Sequence, residues 1–401
     1  MSDDLGAKFT IGGQELNNRL VMAPMTRARC DPTPDDPFSI QNSLPNDLMV
    51  EYYAQRASAG LIISEGTQIN ELGTGWMCAP KISQEEHAVA WKKVVDAVHA
   101  KGGVIYMQLW HLGRQTHSTF HPTTNKIVSA SDVKINGTEA KDVHGNTVEY
   151  EQPTPMTKEE IQETIADFVH SARLAKKAGF DGIELHSANG YLLDQFLQSR
   201  TNKRTDEYGG SMENRLRLLR EITEAIIADE DAFPANRIGF RLSPNGVFGD
   251  MGSPDNDVMF PYVAKEMNKY GLSYLHVMDG LGFGYHNLCP ALTMMDFRKV
   301  WDGPLICNVG LTKESGKAML RSGTTDMLAY GRPYMSNPDL AERFINDWPL
   351  NPDIEYGDWW QVGAGAKGYT DWPFYHVEPK EAEEGSGGEK DAMEKEKETV
   401  G

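Results

Sequence analysis

Three polar side chains follow a short apolar segment near the middle of the chain. The sequence FDGIELHSANGY starts at Phe180, and its apolar residues predict a buried strand that ends at His186, with Asn189 and Tyr191 close behind. An imidazole, an amide and a phenol so close together could bind an acceptor oxygen and deliver a proton. A single histidine at a strand end is more often a hydrogen-bonded structural residue, so the hypothesis of a catalytic site depends on the whole group.

Strand-like apolar runs recur along the chain, with amphipathic helical patterns between them. The runs cover residues 19–22, 60–65, 103–109, 182–185, 238–242, 273–277, 304–308 and 327–330. The clearest helical patterns cover residues 47–59, 85–100, 157–178, 211–228, 259–270 and 313–322. This alternation predicts an α/β protein with a closed parallel sheet, the (β/α)8 TIM barrel. A doubly wound open sheet is the structural alternative.

Two segments do not fit the repeat. Residues 112–157 are too many for a βα loop and contain the strand-like pieces KIVSASDV and NTVEYE, so we predict a hairpin-bearing excursion after strand 3, over the barrel mouth. Residues 376–401 hold nine acidic residues, four lysines and almost nothing apolar, which is typical of disorder. We therefore expect one folded domain over residues 1–375 and an acidic disordered tail over 376–401.

The carboxyl ends of the strands are the places where a barrel positions catalytic groups. Beyond the central group, these ends supply Pro24, Met25, Thr26, Gly66, Gln108, Trp110, His111, Arg241, Asn308, Gly310, Gly331 and Arg332. The two last strand ends suit a phosphate, which backbone N–H groups and the Arg332 guanidinium could hold. Thr26, Gln108 and Arg241 suit the polar edge of a heterocycle. The set favours a mononucleotide cofactor such as FMN.

Other kinds of site are disfavoured. The strand ends carry no pair of carboxylates, as a glycosidase would need, and no recognisable set of metal ligands. The sequence GAGAKG at 363–368 matches GxGxxG, but YTDWP follows it where a dinucleotide-binding fold needs a helix.

Composition limits the class of partner. The formal net charge of −19 argues against nucleic acid and anionic membranes. The four cysteines have no metal-binding or redox-motif spacing, and the start of the sequence has no apolar signal region. No apolar run is long enough for a membrane span. We expect a cytoplasmic protein with reduced thiols, either a monomer or a homodimer.

The central segment carries a family resemblance. HSANGYLLDQFLQSRTNKRTDEYGGSMENR resembles the signature of the Old Yellow Enzyme family of flavin-dependent ene-reductases, which includes the plant 12-oxophytodienoate reductases. Further similar segments are NRLVMAPMTRAR, EYYAQRASAGLIISEGTQI, MQLWHLGRQ, IGFRLSP and AYGRPYMSNPDLAERF. Because these motifs occur in the family's order, the resemblance covers nearly the whole folded chain.

The resemblance implies a barrel that binds FMN non-covalently at its mouth and is reduced by NADPH or NADH. It implies that Pro24, Met25, Thr26, Gly66 and Gln108 contact the flavin's polar edge, that Arg241 lies near N1 and O2, and that Gly310, Gly331 and Arg332 hold the phosphate. His186 and Asn189 would bind the oxygen of an activating carbonyl or nitro group, Tyr191 would protonate the α-carbon, and Trp110 would line the substrate pocket. The expected substrates are activated alkenes: enones, enals, maleimides or nitroalkenes.

The chain also departs from many relatives. Asn189 stands where many have histidine, and the turn after Cys307 lacks a common Gly-Gly pair. Trp359 and Trp360 stand where smaller aromatic residues are frequent, and they either narrow the flavin pocket or simply pack. Rival hypotheses are a dienoyl-type reductase, which would need an iron–sulfur motif and a second domain, a non-catalytic flavin-binding barrel, and a metal-dependent hydrolase.

Overall fold

Eight parallel strands close into a barrel in the computed structural model, which describes residues 4–30, 43–136, 139–282 and 284–376. The barrel strands are β1 (Leu20–Met22), β2 (Leu61–Ile63), β3 (Ile105–Trp110), β4 (Gly182–His186), β5 (Ile238–Leu242), β6 (Tyr274–Met278), β7 (Leu305–Asn308) and β8 (Met327–Tyr330). Each strand pairs with its sequence neighbours, and β8 pairs with β1 to close the ring. The predicted (β/α)8 barrel is confirmed, and the open sheet is wrong.

Helices follow most of the strands and cover the barrel. They are α1 (Asp47–Gln55), α2 (Glu85–His99), α3 (Lys158–Lys177), α4 (Leu192–Leu197), α5 (Met212–Ile227), α6 (Asn256–Met267), α7 (Met294–Arg298), α8 (Lys313–Ser322), α9 (Arg332–Ser336) and α10 (Leu340–Ile345). Short 3-10 turns occur at Ser118–Phe120, Ala235–Arg237, Asn268–Tyr270 and Tyr356–Asp358. Helix α5 begins as its sequence predicts, since the Ser211 hydroxyl accepts from the Asn214 N–H.

The amino end of the barrel is filled and covered. A hairpin of Phe9–Ile11 and Gln14–Leu16 lies there, and its apolar residues join the core inside the barrel. Tyr274 helps to fill that core because Gly239 leaves it room: a Cβ at residue 239 would approach the tyrosine ring to 2.4 Å. The hairpin and the packed core thus occupy the amino end among the described residues, so the site is sought at the carboxyl end.

The excursion after β3 contains the predicted hairpin. Strands Glu139–Lys141 and Thr147–Glu149 pair antiparallel; the second lies in the predicted piece NTVEYE, whereas the first was not predicted as a strand. The piece KIVSASDV forms only the two-residue strand Val128–Ser129, which pairs in parallel with Thr154–Pro155. One reason is that the next carbonyl, that of Ala130, accepts from the Arg204 guanidinium.

Most predicted boundaries agree with the structure to within three residues. Helix α1 ends at Gln55, four residues before its predicted end, and α6 starts at Asn256, three residues early, with Pro261 inside it. Cys30, Cys78 and Cys307 are buried and Cys289 is partly exposed, and none of the four forms a disulfide within the described residues. None of the helices in the described ranges is long and apolar enough to cross a membrane. The predicted acidic tail lies outside the described residues from position 377 onward.

Candidate active site

Strands β3, β4 and β5 bring four predicted residues together at the open end of the barrel. His186 ends β4 opposite Arg241 on β5, while Gln108 and Trp110 lie at the end of β3, which pairs with the other side of β4. All four side chains are buried, with no more than 5% of their surface exposed. The barrel register therefore places an imidazole, a guanidinium, an amide and an indole around one mouth.

Tyr191 packs against two of these rings. Its ring centroid is 4.9 Å from that of His186 and 4.9 Å from that of Trp110, both edge to face. The Nδ1 atom of His186 and the Nε1 atom of Trp110 are buried without a hydrogen-bond partner in the described part of the chain. Such atoms are costly unless a ligand pairs with them. The unpaired nitrogens therefore make the space beside these rings a candidate ligand site.

Phe248 forms a further wall of this space and was not among the predicted residues. Its ring centroid is 6.5 Å from that of Tyr191, and 44% of its surface is exposed. It lies in the loop after β5, together with Met251, and both approach Asn189 and Gly190. Sequence alone could not have assigned Phe248 to the site, because its position beside the predicted polar residues depends on the conformation of the loop after β5.

The two groups that could exchange protons are both neutral at physiological pH. Burial, with the charge of Arg241 and the proximity of His276, holds the pKa of His186 well below its usual value. Burial also raises the pKa of Tyr191 far above that of a free phenol, against the lowering effect of Arg241. The site thus offers a neutral imidazole and a protonated phenol.

A buried polar network lies below the mouth. The Gln108 Nε2 atom donates to Glu184 at 2.7 Å, and the other Glu184 oxygen lies 2.9 Å from His276 Nδ1. Burial alone would raise the pKa of Glu184, but His276 and Arg241 outweigh it, so the carboxylate is ionised. It therefore balances the Arg241 charge in the barrel interior.

The sequence contains a signal for this network. Glu184 and His186 are two residues apart on a strand, which places both on the same face, and His276 lies opposite Arg241 in the β5–β6 pairing. Polar residues on the inner face of a buried strand need partners, so Glu184 and His276 could have been added to the predicted site.

Pro24, Met25 and Thr26 follow β1 and are partly exposed at the same mouth. Gly66 follows β2 and is buried, and a Cβ there would lie 2.6 Å from the Trp110 ring. Only glycine fits this position. The structure thus brings the β1 and β2 residues beside those of β3.

Glu65, which directly precedes Gly66, was not predicted. It is fully buried and accepts from the Arg27 N–H at 3.1 Å and from the Tyr53 hydroxyl at 3.2 Å. Burial raises the pKa of Glu65 to about 7, although these hydrogen bonds and the nearby arginines lower it. Through the hydrogen bond from the Arg27 N–H, this carboxyl links the turn after β1 to the turn after β2.

The predicted phosphate-binding residues lie at the more exposed side of the mouth. Gly310 is exposed in a left-handed conformation with φ of +76°, and a Cβ there would have no neighbour within 4 Å. Arg332 is exposed after the partly buried Gly331, and its guanidinium carbon lies 4.8 Å from the Trp359 ring centroid. The three residues are therefore accessible at the adjacent ends of β7 and β8.

The tryptophans of the C-terminal segment pack with one another. The Trp359 and Trp360 centroids are 5.4 Å apart, and Trp360 also approaches Trp76 at 5.7 Å. The backbone oxygen of Trp359 accepts from Arg27 Nε at 2.9 Å. This segment is thus attached to the residue that follows Thr26.

Comparison with known proteins gives a family and several relatives. Residues 4–351 match the model of the NADH:flavin oxidoreductase / NADH oxidase family. The chain is 35% identical over 372 residues to 12-oxophytodienoate reductase 2 of Arabidopsis thaliana, covering 91% of this chain and 94% of that protein. It is 37% identical over 371 residues to a probable flavin mononucleotide-dependent alkene reductase of Leishmania infantum, covering 91% and 95%.

Solved structures agree with the sequence relatives. An old yellow enzyme homologue from Zymomonas mobilis superposes with a TM-score of 0.84 at 38% identity, covering 92% of this chain and 99% of that one. Morphinone reductase in complex with tetrahydroNAD superposes with a TM-score of 0.83 at 36% identity, covering 93% and 98%.

Proposed function

The chain belongs to the NADH:flavin oxidoreductase / NADH oxidase family, and from this premise we propose that it reduces activated alkenes, with Tyr191 protonating the α-carbon. It is an NAD(P)H-dependent flavin oxidoreductase of the Old Yellow Enzyme type, and FMN is its cofactor. The proposed substrates are enones, enals, maleimides and nitroalkenes. The observation that supports this choice is the buried, unpaired nitrogen of His186 beside the Tyr191 ring.

The mouth of the barrel fits FMN. Arg241 has a buried Nε atom without a partner in the described ranges, which suits an acceptor on a flavin's polar edge. Gln108 and Thr26 add polar groups at that edge, and Gly310, Gly331 and Arg332 leave an accessible place for a phosphate. When bound, FMN supplies the hydride chemistry between NAD(P)H and the alkene. We propose that residues 1–375 form one FMN-binding domain.

His186 and Asn189 would bind the oxygen of the activating carbonyl or nitro group. Because both are neutral, they can donate hydrogen bonds without a proton loss that depends on pH in the physiological range. Charge grows on the acceptor oxygen as the β-carbon receives hydride, so donors fixed at that oxygen stabilise the transition state more than the ground state.

Tyr191 would deliver the proton. A phenol with a raised pKa keeps its proton until a strongly basic carbon forms next to it. The edge-to-face contacts with His186 and Trp110 hold the ring, which fixes the position of the hydroxyl oxygen. The alkene then gains a hydride at the β-carbon and a proton at the α-carbon.

The test compares two acceptors in the Tyr191→Phe variant. The variant keeps the ring but lacks the proton, so reduction of cyclohexenone should fall by roughly a hundredfold or more. A nitroalkene gives a stable nitronate that can leave unprotonated, so it should still reoxidise the reduced protein at near the parent rate. Reduction by NADPH should be nearly unchanged, because it needs no proton from this hydroxyl.

Tyr208→Phe is the matched control. The Tyr208 hydroxyl bonds to Glu221 at 2.7 Å and to Gln162 at 2.9 Å, away from the mouth, so this variant should reduce both acceptors as the parent does. Stopped-flow absorbance of the flavin measures each half-reaction. Cyclohexenone rates in Tyr191→Phe equal to those of the parent would move the proton donor to another group.

A further inference from the structure

The turn that carries Asn189 is unusual in its backbone. Asn189 and Gly190 both have left-handed conformations, with φ of +58° and +72°. An asparagine adopts this conformation at a cost that glycine avoids. Glycine is also required at residue 190 by space, since a Cβ would lie 2.6 Å from Met251 and 2.8 Å from the Phe248 oxygen. Something outside the turn must therefore hold it.

Side chains from outside the turn hold all four backbone polar groups of these two residues. The Asn189 N–H donates to the Ser243 hydroxyl at 2.7 Å, and the Asn189 oxygen accepts from Gln115 at 2.6 Å. The Gly190 N–H donates to Asp194 at 2.8 Å, and the Gly190 oxygen accepts from Gln195 at 2.7 Å. All four partners are buried, with no more than 5% of their surface exposed.

Asp194 is the acidic member of this set, and both its oxygens accept hydrogen bonds. One takes the Gly190 N–H and the other takes Gln198 Nε2 at 2.9 Å. The Gln198 amide cannot reverse, because its oxygen accepts from the Gly252 N–H at 2.9 Å and lies near two further donors, Ser253 and Asn256. Residue 194 therefore has to accept on both sides.

We propose that Asp194 is a positioning residue, which fixes the Asn189–Gly190 turn and so orients Asn189 and Tyr191 toward the acceptor. The inference rests on the proposed function, because it assigns a support to the groups that act in it. Asp194 touches no reacting atom, and it acts through the Gly190 N–H, which lies between the two residues that it orients. Neither the family match nor the sequence motif gives this carboxylate a role.

The Asp194→Asn variant tests the double acceptor. Asparagine has the same shape, but its NH₂ group must face either the Gly190 N–H or the Gln198 NH₂, so one buried donor loses its acceptor. We expect the cyclohexenone half-reaction to slow by about tenfold to a hundredfold, since a small displacement of catalytic groups has effects of that order. The dissociation constant of FMN should stay within about twofold, because no predicted FMN contact lies on this turn.

A second exchange should rescue the first. In Asp194→Asn combined with Gln198→Glu, the new carboxylate at residue 198 accepts from the new amide NH₂ at residue 194 and from the Gly252 N–H. The amide oxygen at residue 194 then accepts from the Gly190 N–H. Charge and hydrogen bonds are both restored, so the rate should return to within about threefold of the parent. Asp339→Asn is the control for a purely destabilising change, since Asp339 is also buried, with 1% of its surface exposed, but pairs with Arg343 in α10 and not with the turn that carries Asn189.

Each outcome supports or overturns the proposal. A cyclohexenone rate in Asp194→Asn within twofold of the parent, or a double variant as slow as the single one, overturns it. If the single variant does not fold, the double variant must still restore both folding and rate. Measuring Tyr191→Phe in parallel distinguishes the proton-donor role of Tyr191 from the positioning role of Asp194. If Asp194→Asn is slow and Tyr191→Phe is unimpaired, Tyr191 is not the proton donor, but Asp194 still positions Asn189.

Discussion

Replacing Glu65 by glutamine should remove a specific pH dependence of stability. Glu65 lies between the turns after β1 and β2, where only 1% of its surface is exposed. Burial raises the pKa of Glu65 from 4.5 to about 7 in the folded protein, and the hydrogen bonds from Arg27 and Tyr53 offset only part of that effect. The unfolded chain has no such environment, so the two states bind this proton differently.

The sign and size follow from that difference. Between pH 4.5 and pH 7 the folded protein holds a proton that the unfolded chain has released, so stability falls as the pH rises through this window. A pKa difference of this size corresponds to a loss of about 3 kcal/mol in the free energy of unfolding. Above pH 7 both states are ionised, and Glu65 adds no further slope. Glutamine cannot titrate, so the stability of the Glu65→Gln variant should not show this fall between pH 4.5 and pH 7.

Denaturant unfolding of the FMN-free parent and of Glu65→Gln, at matched values between pH 4.5 and pH 8, measures the effect. Other groups, including Asp194, contribute equally to both proteins, so the difference between the two curves isolates Glu65. The exposed Glu86→Gln variant is the control and should run parallel to the parent. Parallel curves for the parent and Glu65→Gln, whatever their offset, would refute the assigned proton.

Two further predictions concern the mouth. Arg332→Ala should weaken FMN binding by roughly tenfold or more through the lost phosphate contact. Riboflavin has no phosphate, so its binding should be unchanged. Fluorescence titrations measure both affinities, and equal losses for the two ligands would place the phosphate elsewhere. His186→Ala combined with Asn189→Ala should slow enone reduction by on the order of a hundredfold per donor and leave reduction by NADPH partly intact. Equal losses in both half-reactions by stopped flow would leave these residues only a binding role.

The barrel could be predicted from the sequence because its strands are buried on both faces and therefore form continuous apolar runs. Strands β5 and β8 begin and end at the predicted residues, since a continuous apolar run flanked by turn residues leaves little choice of boundary. The strand ends then place His186, Gln108 and Arg241 by register alone. The part of the site that lies on strands was therefore predictable.

The supports of the site were harder to predict, because they act on loops. Helix α4 is buried along its whole length, so Asp194 and Gln195 lie in a six-residue segment without an exposed face and without helical periodicity. Asp194 binds Gly190 and Gln198, four residues away on either side. Gln195 also binds distant segments, such as the Leu112 carbonyl, which accepts from its amide. Local pattern cannot supply such contacts, whereas a buried charge in an apolar run is a signal that a partner must exist.

The proposed catalytic side chains and the buried carboxyls behind them differ in whether they change protonation state near neutral pH. The two groups that we propose face the acceptor, His186 and Tyr191, keep one protonation state through the physiological range, since burial moves their pKa values in opposite directions away from neutrality. The carboxyls whose pKa burial raises to about 7, Glu65 and Asp194, lie one layer behind and bind the backbone of the turns that carry the site. A change of pH near neutrality should therefore act on the reaction through the shape of those turns, because it leaves the charge of the hydrogen-bond donors unchanged.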